Sequence, residues 1–257
     1  SSDLVLLVSI NPGAPNGGSG TQYFIGDFNG IDFIADKATY PKWLDYGKDN
    51  YAGITWDNIP ESDGRKIQIA WMNNWDYANK IPSFSSGTNG SRGSMTLPRE
   101  LTLGKNKQGE IILLNKVVAE IEKIASEWKT VSNGNFENEK EFEIDLQNKE
   151  AYHLQLTTNL SKVQVLSMSL KNSKGESSTV EINNQRERIY FDRKNSGETS
   201  FSNLFSNLSY GPFPYSSDLV TLDLYVDQSS IELVANDGVL TLTNLVFPSS
   251  IYNQIKL

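Results

Sequence analysis

The stretch that decides the fold class is LDLYVDQSSIELVANDGVLTL, residues 222–242. Apolar and polar residues alternate through Leu222–Val226 and again through Ile231–Ala235, which is the period of a half-buried β-strand. The turn residues Asn236–Gly238 then lead into a third apolar run, 239–242. An Asp-Gly pair between alternating runs is among the strongest short-range hairpin signals. This end of the chain is therefore predicted to form antiparallel hairpins.

Similar short runs, separated by turn residues, occur along the rest of the chain. The clearest lie at 5–10, 22–26, 66–71 and 110–114. Many short strands at this spacing are typical of a sandwich, a barrel or a propeller. The sequence therefore predicts an all-β protein.

One stretch has a different period. From Asn115 to Trp128, apolar residues recur at helical spacing among Glu and Lys, which predicts a short amphipathic helix. Composition also changes there, because residues 1–112 hold Gly-rich loops and four of the five Trp residues. We therefore expect two all-β domains, residues 1–112 and 130–257, joined by a helical linker at residues 113–129.

The charge and the apolar runs of the sequence argue against nucleic-acid binding and against a membrane span. Its net charge of −8, without a stripe of Lys and Arg, argues against binding to nucleic acid. No apolar run is long enough to span a membrane, and the first run, Leu4 to Ile10, lacks the basic flank of a signal peptide.

The side chains available for catalysis are few. Cys is absent and His153 is the only histidine, which excludes disulfides, Cys/His zinc sites, a cysteine nucleophile and most Ser-His triads. His153 falls in an alternating stretch and is predicted to be an ordinary strand residue. Carboxylates, hydroxyls and Arg remain, and paired carboxylates acting on a neutral polar substrate suit glycoside hydrolysis.

Several segments go beyond a generic β pattern. In the first half these are SINPG at 9–13, WLDYGKDNYAGITW at 43–56, IAWMNNWDYA at 69–78 and RGSMTLPREL at 92–101. In the second half, FDR at 191–193, ANDG at 235–238 and VFP at 246–248 agree with them in order. Together these segments resemble glycoside hydrolase family 32, which includes levanases, inulinases and invertases.

This resemblance implies a partial five-bladed β-propeller followed by a C-terminal β-sandwich. Residues 1–112 would be the C-terminal blades of an incomplete propeller. The family uses a retaining mechanism with an Asp nucleophile, an Asp that stabilises the transition state and a Glu acid/base. It needs no metal or organic cofactor, because two carboxylates suffice.

The motifs that carry those three carboxylates are Trp-x-Asn-Asp-Pro, Arg-Asp-Pro and Glu-Cys, and none occurs in this sequence. We therefore expect no catalytic residue in the chain and place all three upstream of Ser1. The missing N-terminal half of the enzyme becomes an expected partner, and the chain alone is expected to be inactive. A secreted, periplasmic or cell-surface location follows from the family.

The resemblance also selects candidate residues for substrate binding. Trp71 and Tyr51 match positions that line the fructose pocket of the family. A sugar's C–H face stacks on an aromatic ring, although core packing is the ordinary role of such residues. Asp45, Trp75 and Gln22 are further candidates. Asp45 could bond fructosyl hydroxyls or order a loop, and Trp75 could reach an outer subsite or pack in the core. Gln22 could simply bond backbone.

The leading interpretation is the C-terminal part of a retaining β-fructosidase that hydrolyses terminal fructose from levan, inulin or sucrose. The alternative is a non-catalytic carbohydrate-binding or interaction module built on the β-sandwich. Exposed aromatic residues on one sandwich face would favour this alternative. The candidates for that face are Tyr152, Tyr190, Phe213 and Tyr215.

Overall fold

A computed structural model describes residues 4–37, 40–84, 90–135, 139–146, 149–215 and 219–257. These residues form nineteen strands: β1 Leu4–Ile10, β2 Gly20–Phe28, β3 Phe33–Ala35, β4 Lys42–Trp43, β5 Tyr51–Thr55, β6 Ile67–Met72, β7 Ser94–Met95, β8 Arg99–Lys105, β9 Ile111–Val117, β10 Glu141–Glu143, β11 Tyr152–Asn159, β12 Val165–Lys171, β13 Ser177–Asn183, β14 Arg188–Asn195, β15 Ser209–Pro212, β16 Leu219–Val226, β17 Ser230–Ala235, β18 Leu240–Leu245 and β19 Gln254–Lys256. Two short 3-10 helices, Ala119–Lys123 and Asn236–Gly238, are the helical elements of this described part. Neither could span a membrane.

The first half forms two antiparallel sheets. The first sheet has the order β1-β2-β3, with β4 paired to β2, and the second has the order β5-β6-β8-β9, with β7 paired to β6. The sheets pack on each other through Tyr23, Ile25 and Leu44 on one side and Leu101 and Leu113 on the other. Face-to-face stacking of small antiparallel sheets is the arrangement of neighbouring propeller blades.

The opposite face of each sheet is open to solvent. Because side chains alternate along a strand, Leu4 and Leu6 point away from the core that their neighbours enter, and they are 44% and 40% exposed. On the second sheet, Ile54 and Met95 lie opposite Ile69 and Trp71 and are 71% and 52% exposed. The pair of sheets therefore carries an uncovered apolar face on each side.

The second half is a two-layer sandwich. One layer has the strand order β10-β19-β12-β13-β14-β15 and the other has the order β11-β16-β17-β18. Alternate residues of both layers meet in one large core that includes Ile189, Phe191, Leu222 and Leu224. The hairpins predicted from the sequence are confirmed, since β16 pairs with β17 and β17 with β18 in antiparallel register.

The turn between β17 and β18 shows why its residues are needed. Asn236, Asp237 and Gly238 have φ of 45°, 58° and 93°, the left-handed region that Asn, Asp and Gly tolerate best. A Cβ on Gly238 would lie 2.7 Å from the backbone nitrogen of Asn115. The turn thus brings the sandwich close to the last strand of the second sheet.

The helix predicted from Asn115 to Trp128 is wrong. Strand β9 continues to Val117, and only Ala119–Lys123 forms a 3-10 turn, with no buried residue. Pairing with β8 gives Asn115 and Val117 ladder partners, whereas Ile124, 82% exposed, shows that an apolar helix face would have nothing to bury against. The domain boundaries themselves stay a prediction.

Candidate functional site

Three of the predicted site residues lie together at the end of β6. Cross-strand pairing sets Tyr51 opposite Trp71, and Trp71 opposite Met95. The Trp71 ring centroid lies 6.3 Å from that of Tyr51 and 5.0 Å from that of Trp75, with tilted planes. Trp75 is 59% exposed. We call Tyr51, Trp71 and Trp75 the aromatic row. Tyr51 and Trp71 are half-buried, and the ring surface that stays accessible suits the C–H face of a sugar.

The loop that carries Trp75 is held by the connection between β1 and β2. The backbone N–H of Trp75 donates to Ser19 Oγ over 3.0 Å, and Ser19 Oγ donates to Asn11 Oδ1 over 3.0 Å. Asn74 Oδ1 accepts from the N–H groups of Ser19 and Asp76. These bonds fix the exposed indole ring to a buried polar frame.

Close packing explains one glycine in this frame. Gly18 has φ of 70°, and a Cβ there would lie 2.0 Å from Asn74 Oδ1. Sequence reasoning missed Ser19 and Asn74 as residues that orient Trp75. The available signal was the polar pair Asn73-Asn74 between Trp71 and Trp75, both members of which are buried.

Asp45 lies elsewhere, with its carboxylate used inside the protein. Its Oδ1 accepts from the N–H groups of Gly47 at 2.7 Å and Thr243 at 2.9 Å, and Oδ2 accepts from Thr243 Oγ1 at 2.6 Å. The residue is 5% exposed. Asp45 therefore orders its own loop through Gly47 and bridges the first half of the chain to β18 through Thr243.

Gln22 also lies outside the aromatic row. It stands on β2 in the first sheet, opposite Val8 and Trp43, on the face away from Tyr23 and Ile25. Gln22 therefore lies on a different sheet from the aromatic row, and the role of Gln22 in the pocket stays a prediction.

The acidic residues near the aromatic row are engaged in ion pairs. Asp49 is fully buried: its Oδ1 accepts from the Tyr77 hydroxyl at 2.6 Å and its Oδ2 from Arg193 Nη1 at 2.6 Å. Asp76 Oδ2 lies 4.0 Å from Lys48 Nζ. Burial, followed by the charge of Arg193, lowers the pKa of Lys48 against the opposing pull of Asp49 and Asp76. Both carboxylates therefore have structural partners within the protein.

The described residues contain no group of three His, Cys, Asp or Glu side chains able to hold a metal ion. His153 is confirmed as a strand residue, in β11. Its Nε2 lies 2.8 Å from Asp223 Oδ1, and its ring stacks on Tyr225 with centroids 4.1 Å apart.

Comparison with protein families covers both halves of the chain. The glycosyl hydrolases family 32 N-terminal domain matches residues 1–114, and the family 32 C-terminal domain matches residues 118–257. The chain belongs to glycoside hydrolase family 32. The two stacked sheets of this family-32 chain are propeller blades, and its second half is the family's β-sandwich.

Its relatives include enzymes that are named for their fructan substrates. The family-32 chain is 32% identical to a levanase of Bacillus subtilis, over 98% of the chain and 37% of the levanase. It is 32% identical to an extracellular exo-inulinase of Aspergillus awamori, over 96% of the chain and 47% of that enzyme. The crystal structure of an Aspergillus awamori exo-inulinase superimposes with a TM-score of 0.75 at 28% identity, covering the whole chain and 50% of the inulinase. The chain thus spans half or less of the length of these relatives.

Proposed function

We propose that the protein is a retaining β-fructosidase that releases terminal fructose from levan, inulin or sucrose. The aromatic row carries this proposal, because an accessible Tyr51–Trp71–Trp75 surface in a family-32 chain suits the ring of a fructosyl unit. The levanase and exo-inulinase among the relatives support a fructan as the substrate. The extracellular inulinases support a secreted, periplasmic or cell-surface location.

The three catalytic carboxylates would stand on a segment N-terminal to this chain, for which the greater length of the relatives leaves room. Two observations support this. The family's carboxylate motifs do not occur in residues 1–257, and the acidic side chains near the aromatic row are bound to Lys48, Tyr77 or Arg193. The chain would then supply one wall of the pocket, while the N-terminal segment supplies the acid/base, the nucleophile and the stabilising Asp.

The sandwich-based alternative has little support. Phe213 lies in the sandwich core, and Tyr152 and Tyr215 pack against that core. The hydroxyl of Tyr152 donates to the backbone oxygen of Tyr252 over 2.9 Å. Three of the four aromatic residues considered for a sugar-binding face are therefore part of the fold.

Fructose release by the full-length protein tests the proposal. Levan, inulin and sucrose are offered in turn, and kcat and KM are measured for the best substrate. We expect Trp71→Ala to lower kcat/KM at least about tenfold, which corresponds to about 1.4 kcal/mol of transition-state binding. Trp128→Ala is the matched control, because Trp128 is 56% exposed and packs on His153 in the sandwich.

Two results would contradict the proposal. If the full-length protein released fructose from none of the three substrates, the proposed activity would be contradicted. Equal kcat/KM for the Trp71→Ala and Trp128→Ala proteins would remove the aromatic row from the binding site.

A further inference from the structure

A buried arginine of the sandwich reaches into the second blade. Arg193 lies on β14 and has no exposed surface. Its Nη1 donates to Asp49 Oδ2 over 2.6 Å, and its Nη2 donates to the Tyr77 hydroxyl over 2.8 Å. The Tyr77 hydroxyl in turn donates to Asp49 Oδ1 over 2.6 Å. We call Arg193, Asp49 and Tyr77 the buried triad.

The guanidinium is fixed in place by the sandwich. Its Nε donates to the Phe205 oxygen over 2.8 Å, and Nη1 also donates to the Leu245 oxygen over 2.7 Å. The Phe205 ring centroid lies 3.7 Å from Cζ, which adds a cation–π contact. Two residues on the sandwich side, Phe205 and Leu245, thus define where Arg193 holds its two blade partners.

The surroundings of Tyr77 and Arg193 shift the pKa of each side chain. Burial raises the pKa of Tyr77 well above its ordinary value, so the phenol stays neutral. Burial alone would lower the pKa of Arg193, but Tyr77 and Asp49 beside it raise the pKa above its ordinary value. A charged guanidinium therefore meets a carboxylate and a neutral hydroxyl, and every contact is a directed hydrogen bond.

The two blade partners flank the aromatic row in sequence. Asp49 precedes Tyr51 by two residues, and Tyr77 follows Trp75 by two residues. One guanidinium therefore holds the ends of both segments that present the outer rings of the row. A second link between the same segments runs from Asn74 Nδ2 to the Lys48 oxygen over 2.8 Å.

We propose that Arg193 is a positioning residue for substrate. Acting through Asp49 and Tyr77, it sets the placement of Tyr51 and Trp75 on either side of Trp71. The sandwich would thereby determine the affinity of the pocket for fructosyl chains without touching them. The choice of substrate rests on the proposed function, whereas the placement of the rings does not.

Tyr77→Phe is the sharpest test, because it removes one hydroxyl and keeps the Arg193–Asp49 pair. The full-length protein is used, with inulin as substrate. We expect KM to rise at least about fivefold while kcat changes less than about twofold, since the rings bind but do not react. Tyr252→Phe is the control: it removes another buried hydroxyl, 3.1 Å from Ser178 Oγ in the sandwich core, and should leave both constants unchanged within about twofold.

A double-mutant cycle separates positioning from general stability. If Tyr77 acts through the Trp75 ring, Tyr77→Phe should raise KM much less in a Trp75→Ala protein than in the parent. The proposal would be overturned if Tyr77→Phe raised KM by the same factor in the Trp75→Ala protein as in the parent. It would also be overturned if Tyr77→Phe alone left KM unchanged.

Fluorine NMR of the full-length protein labelled with 5-fluorotryptophan gives a readout without activity. We expect Tyr77→Phe to shift or broaden the resonances of Trp71 and Trp75 and to leave those of Trp43 and Trp128 in place. That result supports the positioning role even if the protein releases no fructose. Absence of fructose release would contradict only the proposed function. Unmoved Trp71 and Trp75 resonances, or equal shifts of all four, would overturn the positioning role.

Discussion

At the scale of single residues, Asp45 joins the two halves of the chain. Three hydrogen bonds end on its carboxylate, and two of them come from Thr243. Bonds to a charged acceptor contribute about 1.5–3 kcal/mol each when buried partners are left unpaired. We expect Asp45→Ala in the full-length protein to lower the free energy of unfolding by about 2–4 kcal/mol in urea denaturation, with KM for fructosides unchanged.

Asp27→Ala is the control for this measurement. Asp27 is an exposed residue near the end of β2, so its removal should change the unfolding free energy by less than about 0.5 kcal/mol. A raised KM with unchanged stability in the Asp45→Ala protein would return Asp45 to the sugar-binding residues.

Contacts between residues of two nearby motifs could be predicted from the sequence, whereas contacts between residues far apart in the chain could not. Tyr51, Trp71 and Trp75 lie in two short motifs on adjacent strands, so the resemblance could bring them together. Asp45 and Thr243 are 198 residues apart, and Asp49 and Arg193 are 144 apart. No local pattern reports such a partner, so a buried structural carboxylate looks in the sequence like a polar pocket residue.

At the scale of elements, the alternation of apolar and polar residues predicted the strands of the sandwich correctly. The helical spacing of apolar residues predicted a helix that does not form. The runs 222–226 and 231–235 became β16 and β17 because the residues of one face enter the sandwich core. The stretch 115–128 has helical spacing, but β9 already pairs Asn115 with Leu101. Backbone hydrogen bonds to the neighbouring strand β8 stabilise this segment as a strand. A helix here would have had no protein surface against which to bury its apolar face.

The contact between β8 and β17 depends on a buried ion pair. Arg99 Nη2 donates to Glu232 Oε2, and Glu232 Oε1 accepts from the Leu97 N–H over 2.9 Å. Removing one partner leaves an uncompensated buried charge, which costs about 3–5 kcal/mol. We expect Glu232→Met alone to destabilise the full-length protein by that amount, and Arg99→Met with Glu232→Met to destabilise it clearly less, both measured in urea.

The exposed pair between Arg65 and Asp63 provides the comparison. Arg65 holds the pKa of Asp63 at about 2, yet both groups are open to solvent, which screens their attraction. Asp63→Asn should therefore leave the unfolding midpoint nearly unchanged. A Glu232→Met protein as stable as the Asp63→Asn protein would show that the buried pair does not secure the blade to the sandwich.

At the scale of the whole molecule, the two blades of the first half form an arc of propeller that the described residues leave open. Two blades stack through a shared core, while Leu4, Leu6 and Phe28 on one flank and Ile54 and Met95 on the other remain 40–71% exposed. Isolated apolar residues are common on surfaces, but these lie together on sheet faces. A propeller needs at least about four blades to close its ring, so further blades would cover the face of Leu4 and Leu6 and the part of the other face away from the aromatic row.

Dye binding by the described chain, purified alone, tests this claim most directly. We predict strong fluorescence enhancement of a hydrophobic dye, which falls by about half in a Leu6→Gln, Phe28→Gln protein because one flank has become polar. Leu219→Gln is the control, since Leu219 is 65% exposed at the start of β16 in the sandwich and should leave the signal unchanged. A monomer that binds little dye and melts in one sharp transition would contradict the open propeller arc.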